Sequence, residues 1–280
     1  MTATETPRAG ARERTAALPG VLLAGAARGA LTTLATVLAI VVVWTVFLRL
    51  VNVSPLVAKT PLDVWDHLVA GPDAAANRSA LWPLLVRTLA DAGLGFALGL
   101  IPAAAMSVLF YFSPAAEQAF LPTVTAFRAV PMVTVAPTLA LVFGRGAAGT
   151  AVIGIAIVFV PALLTMLRGI RSAPRADLEV CRAFGGSRWT AFVKVALPHA
   201  VPTWFTAARI TVTTSIVGAL LAEWLASGAG LGGQMMRDAN EFEFARLWAS
   251  VVVLTTVCVA VYQFLALLEA LVRARMGASR

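Results

Sequence analysis

The sequence predicts an all-α polytopic membrane protein with about six transmembrane helices. Three observations carry that prediction. Of the 280 residues, 59% are hydrophobic and only 13% charged, and the mean hydropathy is +0.84. Soluble domains carry about 25% charged residues, so the polar surface needed to wrap such a core is missing. Apolar runs recur at lengths near the ~20 residues that a helix needs to cross a bilayer. Finally, arginines gather in alternate connections between those runs, the asymmetry that orients membrane helices. This composition excludes a cytosolic enzyme, a disordered chain and a nucleic-acid partner. The net charge of +8 is that of basic loops facing one side of a membrane.

Residues 1–28, with Arg8, Arg12, Arg14 and Arg28, read as a flexible cytoplasmic tail, and 29–280 as the transmembrane domain. The stretch 16–27 also resembles a signal-peptide core. Arg28 is followed at once by a longer apolar run, however, which favours the tail. The runs cover about 30–51, 86–112, 119–143, 148–168, 200–226 and 247–272. Gly95 and Gly99 form a small-xxx-small pair in the second run, read as close packing inside one subunit. Pro122, Pro131 and Pro137 interrupt the third run. The carbonyls they free need partners, so this span should face protein or a water-filled path. The basic segments, 1–28, 168–199 and the C-terminal arginines, fall on one side of a six-span chain. The N-terminus and C-terminus are therefore both expected to be cytoplasmic, in a bacterial inner membrane. No internal repeat is evident.

The segment 168–202, RGIRSAPRADLEVCRAFGGSRWTAFVKVALPHAVP, is too polar to span. Ser172 and Pro174 suit a helix start, with Asp177 in the first turn, where it complements the helix dipole. Leu178, Cys181 and Phe184 give one apolar face. Gly185 and Gly186 end that helix, and Ser187 can cap a second one with Trp189, Phe192, Val193 and Ala196 as its apolar face. Leu197 and Pro198 are expected to break the second helix before the fifth span. A helix–glycine–helix unit of this kind either docks onto a soluble partner or lies on lipid headgroups.

This segment, about 172–198, resembles the coupling loop of permease subunits of ATP-binding-cassette importers of the type I fold. In that pattern a Glu-Ala-Ala is followed by Gly six residues after the Glu and by Leu-Pro some eighteen residues after it. Here Glu179 leads, Gly185 is six later, and Leu197 and Pro198 fall at eighteen and nineteen, with Val180 and Cys181 in place of the alanines. Over residues 84–275 the chain is most similar to the aliphatic sulfonate, taurine and nitrate permeases. The matching stretches are Phe127 to Pro131, Pro137, Phe143 and Gly144, Gly169 to Arg171, Ala208 to Ile210, Ala222 and Glu223, and Gly228 to Gly232. The chain departs from those permeases at Gly144, Arg145, Gly146 and Ala147.

The resemblance implies a type I importer permease fold with cytoplasmic coupling helices between spans four and five. It also implies a contact with a separate ATPase through Asp177, Glu179, Cys181, Arg182, Gly185, Gly186, Ser187, Leu197 and Pro198. Two permease subunits, as a homodimer, would enclose the path, and an external solute-binding protein would deliver substrate. That substrate would be a small organic anion such as a sulfonate, or nitrate. ATP and Mg would be bound by the partner ATPase, with no cofactor on this chain. Independently of the resemblance, Lys59 and Lys194 are the only lysines and neither follows a glycine, so the chain holds no phosphate-binding Gly-Lys-Ser/Thr loop. Cys181, Cys258, His67 and His199 show no metal spacing, and no nucleophile motif is present.

Candidate path residues are Arg128, Pro131, Thr134 and Thr138 in the interrupted third run, and Thr211, Thr214 and Ser215 in the fifth. The last three share a helix face at i, i+3 and i+4; the alternative is that they bond back to helix carbonyls. Arg128 and Arg209 either snorkel or, for Arg128, attract an anion. Glu223, Gly230, Leu231 and Gly232 form a candidate outer gate or binding-protein contact. For Glu223 two structural readings stand beside it: a cap on the Gly-rich loop, or an ion pair with Arg237 or Arg246. Arg87 and Asp91 should pair within their helix. The competing function is an ion- or proton-coupled secondary transporter, which expects carboxylates near the middle of the bilayer.

Overall fold

The computed structural model describes residues 31–32, 35–52 and 54–277, and its regular elements are all helical. The chain divides into two compact units, one ending at Trp65 and the other beginning at Asp66. The predicted tail 1–28 lies outside the described residues. In the first unit, α1 (Ala35–Val51) is apolar but shorter than a full span. Helix α2 (Pro61–Trp65) starts on a capping box: the Thr60 N–H donates to Asp63 at 2.7 Å and the Asp63 N–H donates to the Thr60 hydroxyl at 3.2 Å.

The second unit opens with a π-helical turn, Asp66–Ala70. Then come α3 (Ala74–Phe112), α4 (Pro114–Ala126), α5 (Met132–Phe143) and α6 (Ala147–Arg171). The polar connection forms α7 (Arg175–Ala183) and α8 (Arg188–Ala191). Helices α9 (Leu197–Ala222), α10 (Gly230–Asn240) and α11 (Phe244–Gly277) complete the chain. Among the described residues four helical stretches are long and apolar enough to cross a membrane: α3, α6, Arg188–Ser227 and α11. The pair α4 and α5 makes a fifth, broken candidate. With α1, these are the six apolar runs in their expected order.

Three boundaries differ from expectation, each for a backbone reason. Helix α3 starts at Ala74, well before residue 86, and carries Pro83 and Pro102 inside it. Of the three prolines in the third run only Pro131 breaks the helix. Val130 and Pro131 are both extended, as a pre-proline residue prefers, and the two halves meet at 105°. Leu197 and Pro198 break nothing: Arg188–Ser227 runs on as one helical stretch. A π-helical turn at Phe192–Ala196 shifts the bonding so that the Leu197 N–H reaches the Phe192 carbonyl. Pro198, which has no N–H to give, then falls at the first turn of α9, where none is needed.

Helices α3, α6 and α9 form the core. Their backbones touch where Gly95 faces Gly154: a Cβ on Gly154 would stand 2.6 Å from the Gly95 Cα. Gly99 lies against Val158, and Gly218 of α9 against Ile157. The small-residue pair therefore packs within one subunit. Buried apolar clusters fill both ends, with Leu85, Ile216, Leu231 and Leu254 at one and Ile170, Phe192 and Ala200 at the other. Between them lie Phe110, Leu163, Met166 and Ala207.

Candidate functional site

Helices α7 and α8 and the loop before α10 sit at opposite ends of α9, whose 26 residues span about 39 Å at 1.5 Å per residue. At the α7–α8 end the glycine hinge has a definite geometry. Gly185 is left-handed, with φ +77°. Its N–H donates to Arg182 O at 2.9 Å, and the Gly186 N–H donates to Cys181 O at 2.9 Å. These are the 5→2 and 6→1 bonds of a Schellman stop. A Cβ on Gly186 would strike the Cys181 carbonyl and sulfur at 2.6 Å, so both glycines are required. The Ser187 hydroxyl accepts from the Thr190 N–H at 3.1 Å and caps α8, as predicted. Ser172 instead closes α6, its hydroxyl donating to Gly169 O at 2.7 Å.

The unit is anchored on one side and open on the other. Leu178, Phe192 and Ala196 pack on the end of α3, and Trp189 stacks on Phe112 at 5.6 Å. Arg188 donates to Tyr111 O at 3.2 Å. Arg171 pairs with Glu117, tying the end of α6 to α4. On the open side Asp177, Glu179 and Arg182 are exposed, and Phe184 is 89% exposed. Phe184 was expected on the apolar face; it lies past the last turn of α7 and points out instead. Val193 is also exposed, while Ala191 is buried in its stead, because the π turn rotates the face by part of a turn. Cys181, Gly186, Leu197 and Pro198 are half-buried.

The hydroxyl face of α9 does not line a passage within this chain. Thr211 and Ser215 are buried, and the three hydroxyls donate to carbonyls of their own helix: Thr211 to Ala207 at 2.7 Å, Thr214 to Thr211 at 2.9 Å and Ser215 to Val212 at 2.7 Å. Thr211 and Ser215 share the buried side of α9 with Ala207, Gly218 and Ala219. Thr214 stays half-buried. Arg128, Pro131, Thr134 and Thr138 are all exposed at the bend between α4 and α5, and Thr134 donates to Pro131 O at 2.7 Å.

At the other end Glu223 is fully buried and holds the start of α10. The Gly232 N–H donates to its carboxylate at 2.7 Å. The Thr88 hydroxyl, 2.8 Å from the same carboxylate, accepts from the Leu231 N–H at 2.9 Å. Glu223 therefore caps the Gly-rich loop, a helix N-terminus where a carboxylate is favoured. The alternative, an ion pair with Arg237 or Arg246, does not occur. Arg246 reaches Asp238 at 2.7 Å, and Arg237 donates to Gly228 O at 2.6 Å. Gly230, Leu231 and Gly232 are buried with Glu223, so none of these four offers a surface for a protein partner in this form. Arg87 and Asp91 do not come within ion-pair distance.

Two groups escaped the sequence reading. Thr88 carried no signal. Glu269 did carry one, a carboxylate in an apolar run with Arg273 four residues on. It is buried and accepts from Arg273 at 2.6 Å and Thr206 at 2.8 Å, and it lies 3.3 Å from Arg209. The Arg209 guanidinium also lies 5.2 Å over the Tyr262 ring, so it packs in the protein and does not snorkel. Among the described residues the two buried carboxylates of the apolar runs, Glu223 and Glu269, are both held by protein partners, and a third, Asp238 of α10, is held by Arg246 and Gln234.

Residues 95–274 match the family described as binding-protein-dependent transport system inner membrane component. A probable ABC transporter permease protein of Haemophilus influenzae is 30% identical over 65% of this chain and 74% of its own length. The formylaminopyrimidine transport permease of Halalkalibacterium halodurans is 24% identical over 78% and 85%. The taurine transport system permease of Escherichia coli is 26% identical over 75% and 76%. Among solved structures, an inward-facing methionine ABC transporter covers 70% of this chain and 97% of that chain with a TM-score of 0.59 at 21% identity, a likeness of fold. The chain belongs to the binding-protein-dependent inner membrane component family: it is a multi-pass membrane permease of an ATP-binding-cassette importer.

Proposed function

We propose that α7 and α8 are the coupling element through which a separate ATPase drives this permease. The observation that carries the reading is the two-sidedness of the unit. Its inner side is fixed to α3 by Phe112, Trp189 and Phe192, while Asp177, Glu179, Arg182 and Phe184 face outward around a glycine stop. A large exposed aromatic beside charged residues is a docking surface. ATP and Mg belong to the partner, since this chain has no lysine after a glycine. The termini and the α7–α8 end face the cytoplasm, as the arginine distribution favours. Two copies of the chain, probed at the exposed bend around Arg128, Thr134 and Thr138, enclose the path, and an external binding protein supplies the solute. A small organic anion such as a sulfonate, or nitrate, is the substrate class proposed. The relatives' names, formylaminopyrimidine and taurine among them, span more than one chemistry, so the binding protein sets the choice.

The test is purification of the full chain from its native membrane, with Glu179→Arg and Phe184→Asp as variants. Recovery of an ATPase with the parent chain, and its loss with either variant while membrane insertion persists, is the expected result. An ATPase retained by both variants at parental level removes the coupling assignment.

A further inference from the structure

At the end of the bundle away from α7 and α8, the π turn Asp66–Ala70, the start of α3, and the corner between α10 and α11 enclose a cavity of about 210 Å³. The space is large enough for several waters or one small solute. One wall is apolar, from Ala80, Leu81 and Leu84; the facing wall carries His67, Arg246 and Ser250.

What distinguishes the facing wall is which polar groups are still unspent. The Gln234 amide donates to Asp238 at 2.7 Å and its oxygen accepts from Arg237 at 2.8 Å. The Asn77 amide donates to the His67 carbonyl at 2.9 Å. By contrast, the Ser250 hydroxyl is buried and has no hydrogen-bond partner among the described residues. Asp238 Oδ2 is likewise buried and without one, but Asp238 stands behind Arg246 and is not among the residues lining the cavity. Arg246 donates through Nε to Asp238 and forms a longer ion pair from Nη2 to Glu241 at 3.7 Å, beyond hydrogen-bond length, so its Nη groups still have hydrogen bonds to give. The Asn77 amide also lies 3.4 Å from His67 Nδ1, which leaves Nε2–H as the ring's free donor. Three donors, one of them charged, therefore face one greasy wall. Asp238, Glu241 and Glu243 are close by, so a second negative charge on the occupant is disfavoured.

We infer that this cavity is a binding site for a small organic monoanion, whose charged oxygens meet Arg246 and Ser250 while a short apolar tail lies on Leu81 and Leu84. The site is separate from the α7–α8 coupling surface and does not depend on its assignment. An occupant would tie α3 to the α10–α11 corner and so favour the closed packing of that end.

The test is thermal unfolding of the full chain in lipid nanodiscs, followed by tryptophan fluorescence, with propionate as probe. Propionamide is the uncharged control and sodium chloride the control for ionic strength. Propionate is expected to raise the melting temperature saturably by a few degrees, with no such rise for either control. Ala80→Phe, which fills the mouth from an exposed position, should abolish the rise. Ser250→Ala should weaken half-saturation about fivefold, the loss of one hydrogen bond. The site is overturned if the parent chain shows no rise, if propionamide or chloride reproduces it, or if both variants respond like the parent.

Discussion

Gly154 of α6 faces Gly95 of α3 so closely that a Cβ on either would stand within 3.0 Å of the other's Cα. Both obstacles are backbone and neither can rotate away. Gly154→Ala should therefore destabilise the chain by about 1–3 kcal/mol, the usual cost of overpacking, and Gly154→Leu should abolish stable expression. Gly218→Ala is the control: its new methyl would meet the Ile157 Cδ1 at 3.1 Å, a flexible tip that can give way. Fluorescence-detected thermal unfolding compares Gly154→Ala with Gly218→Ala, and the yield of folded chain in the membrane reads Gly154→Leu; equal loss in Gly218→Ala and Gly154→Ala contradicts the backbone argument.

The bonds joining Thr88, Glu223 and the Gly232 amide hold the start of α10 onto α3 and α9. Thr88→Val keeps the shape but removes the hydroxyl, leaving the Leu231 N–H without its partner. The expected cost is about 1–3 kcal/mol. The loss should be local, so hydrogen exchange should accelerate over 228–240 and not at α6. Thr88→Ser should restore protection; uniform acceleration along the chain contradicts a cap.

Glu269 binds Arg209, Arg273 and Thr206 at once. Removing one partner of a buried ion pair costs roughly 3–5 kcal/mol, and the partial exposure of Arg209 places Glu269→Ala toward the low end of that range. Glu269→Gln retains the Thr206 bond and should cost less. In a double-mutant cycle Arg209→Met should recover part of the loss in Glu269→Ala, since the orphaned charge is gone. Strict additivity would mean the two side chains do not interact.

His67 is expected to make the far end of the bundle sensitive to acid. Burial first, and the Arg246 guanidinium second, hold its pKa below the ordinary histidine value, against the opposite pull of Glu243 and Asp238. With an unfolded value near 6.5, the unfolded chain binds more protons in the window below it. Stability therefore rises with pH there and is lost as pH falls beneath about 6.5. Melting temperatures between pH 7.5 and 5.5 should drop, and His67→Gln should show a shallower drop. Identical slopes would assign the acid sensitivity to other groups.

Much of this was legible because it is local. The turn at Gly185 and Gly186, the cap at Ser187 and the extent of α6 follow from residues within one or two turns of each other. The bend at Pro131 was legible too, but not that Pro122 and Pro137 would be absorbed, since a proline's fate depends on whether its neighbours can resatisfy a carbonyl. Pro198 was misread for the same reason: the π turn before it is a backbone choice that no side chain announces. Thr88 and Glu223, 135 residues apart, share no sequence signature. The hydroxyl stripe of α9 was seen, but its small companions Ala207 and Gly218 were the better clue: small residues on one face signal a neighbouring helix.

The Arg188–Ser227 stretch, 40 residues without a sharp bend, amounts to a single lever about 60 Å long. One tip carries Trp189, beside the proposed ATPase contact, and the other carries Glu223, the peg that seats α10. The π-helical turns Phe192–Ala196 and Glu223–Ser227 fall near the two tips, and the shaft between them is continuously hydrogen-bonded α-helix. A tilt imposed at one tip is carried by the shaft, which lies close against α6 toward both ends, at Thr203 beside Gly169 and at Gly218 beside Ile157. In the proposed coupling, the distance between the two ends of the bundle is bridged by the rigidity of one helix rather than by a relay of side chains.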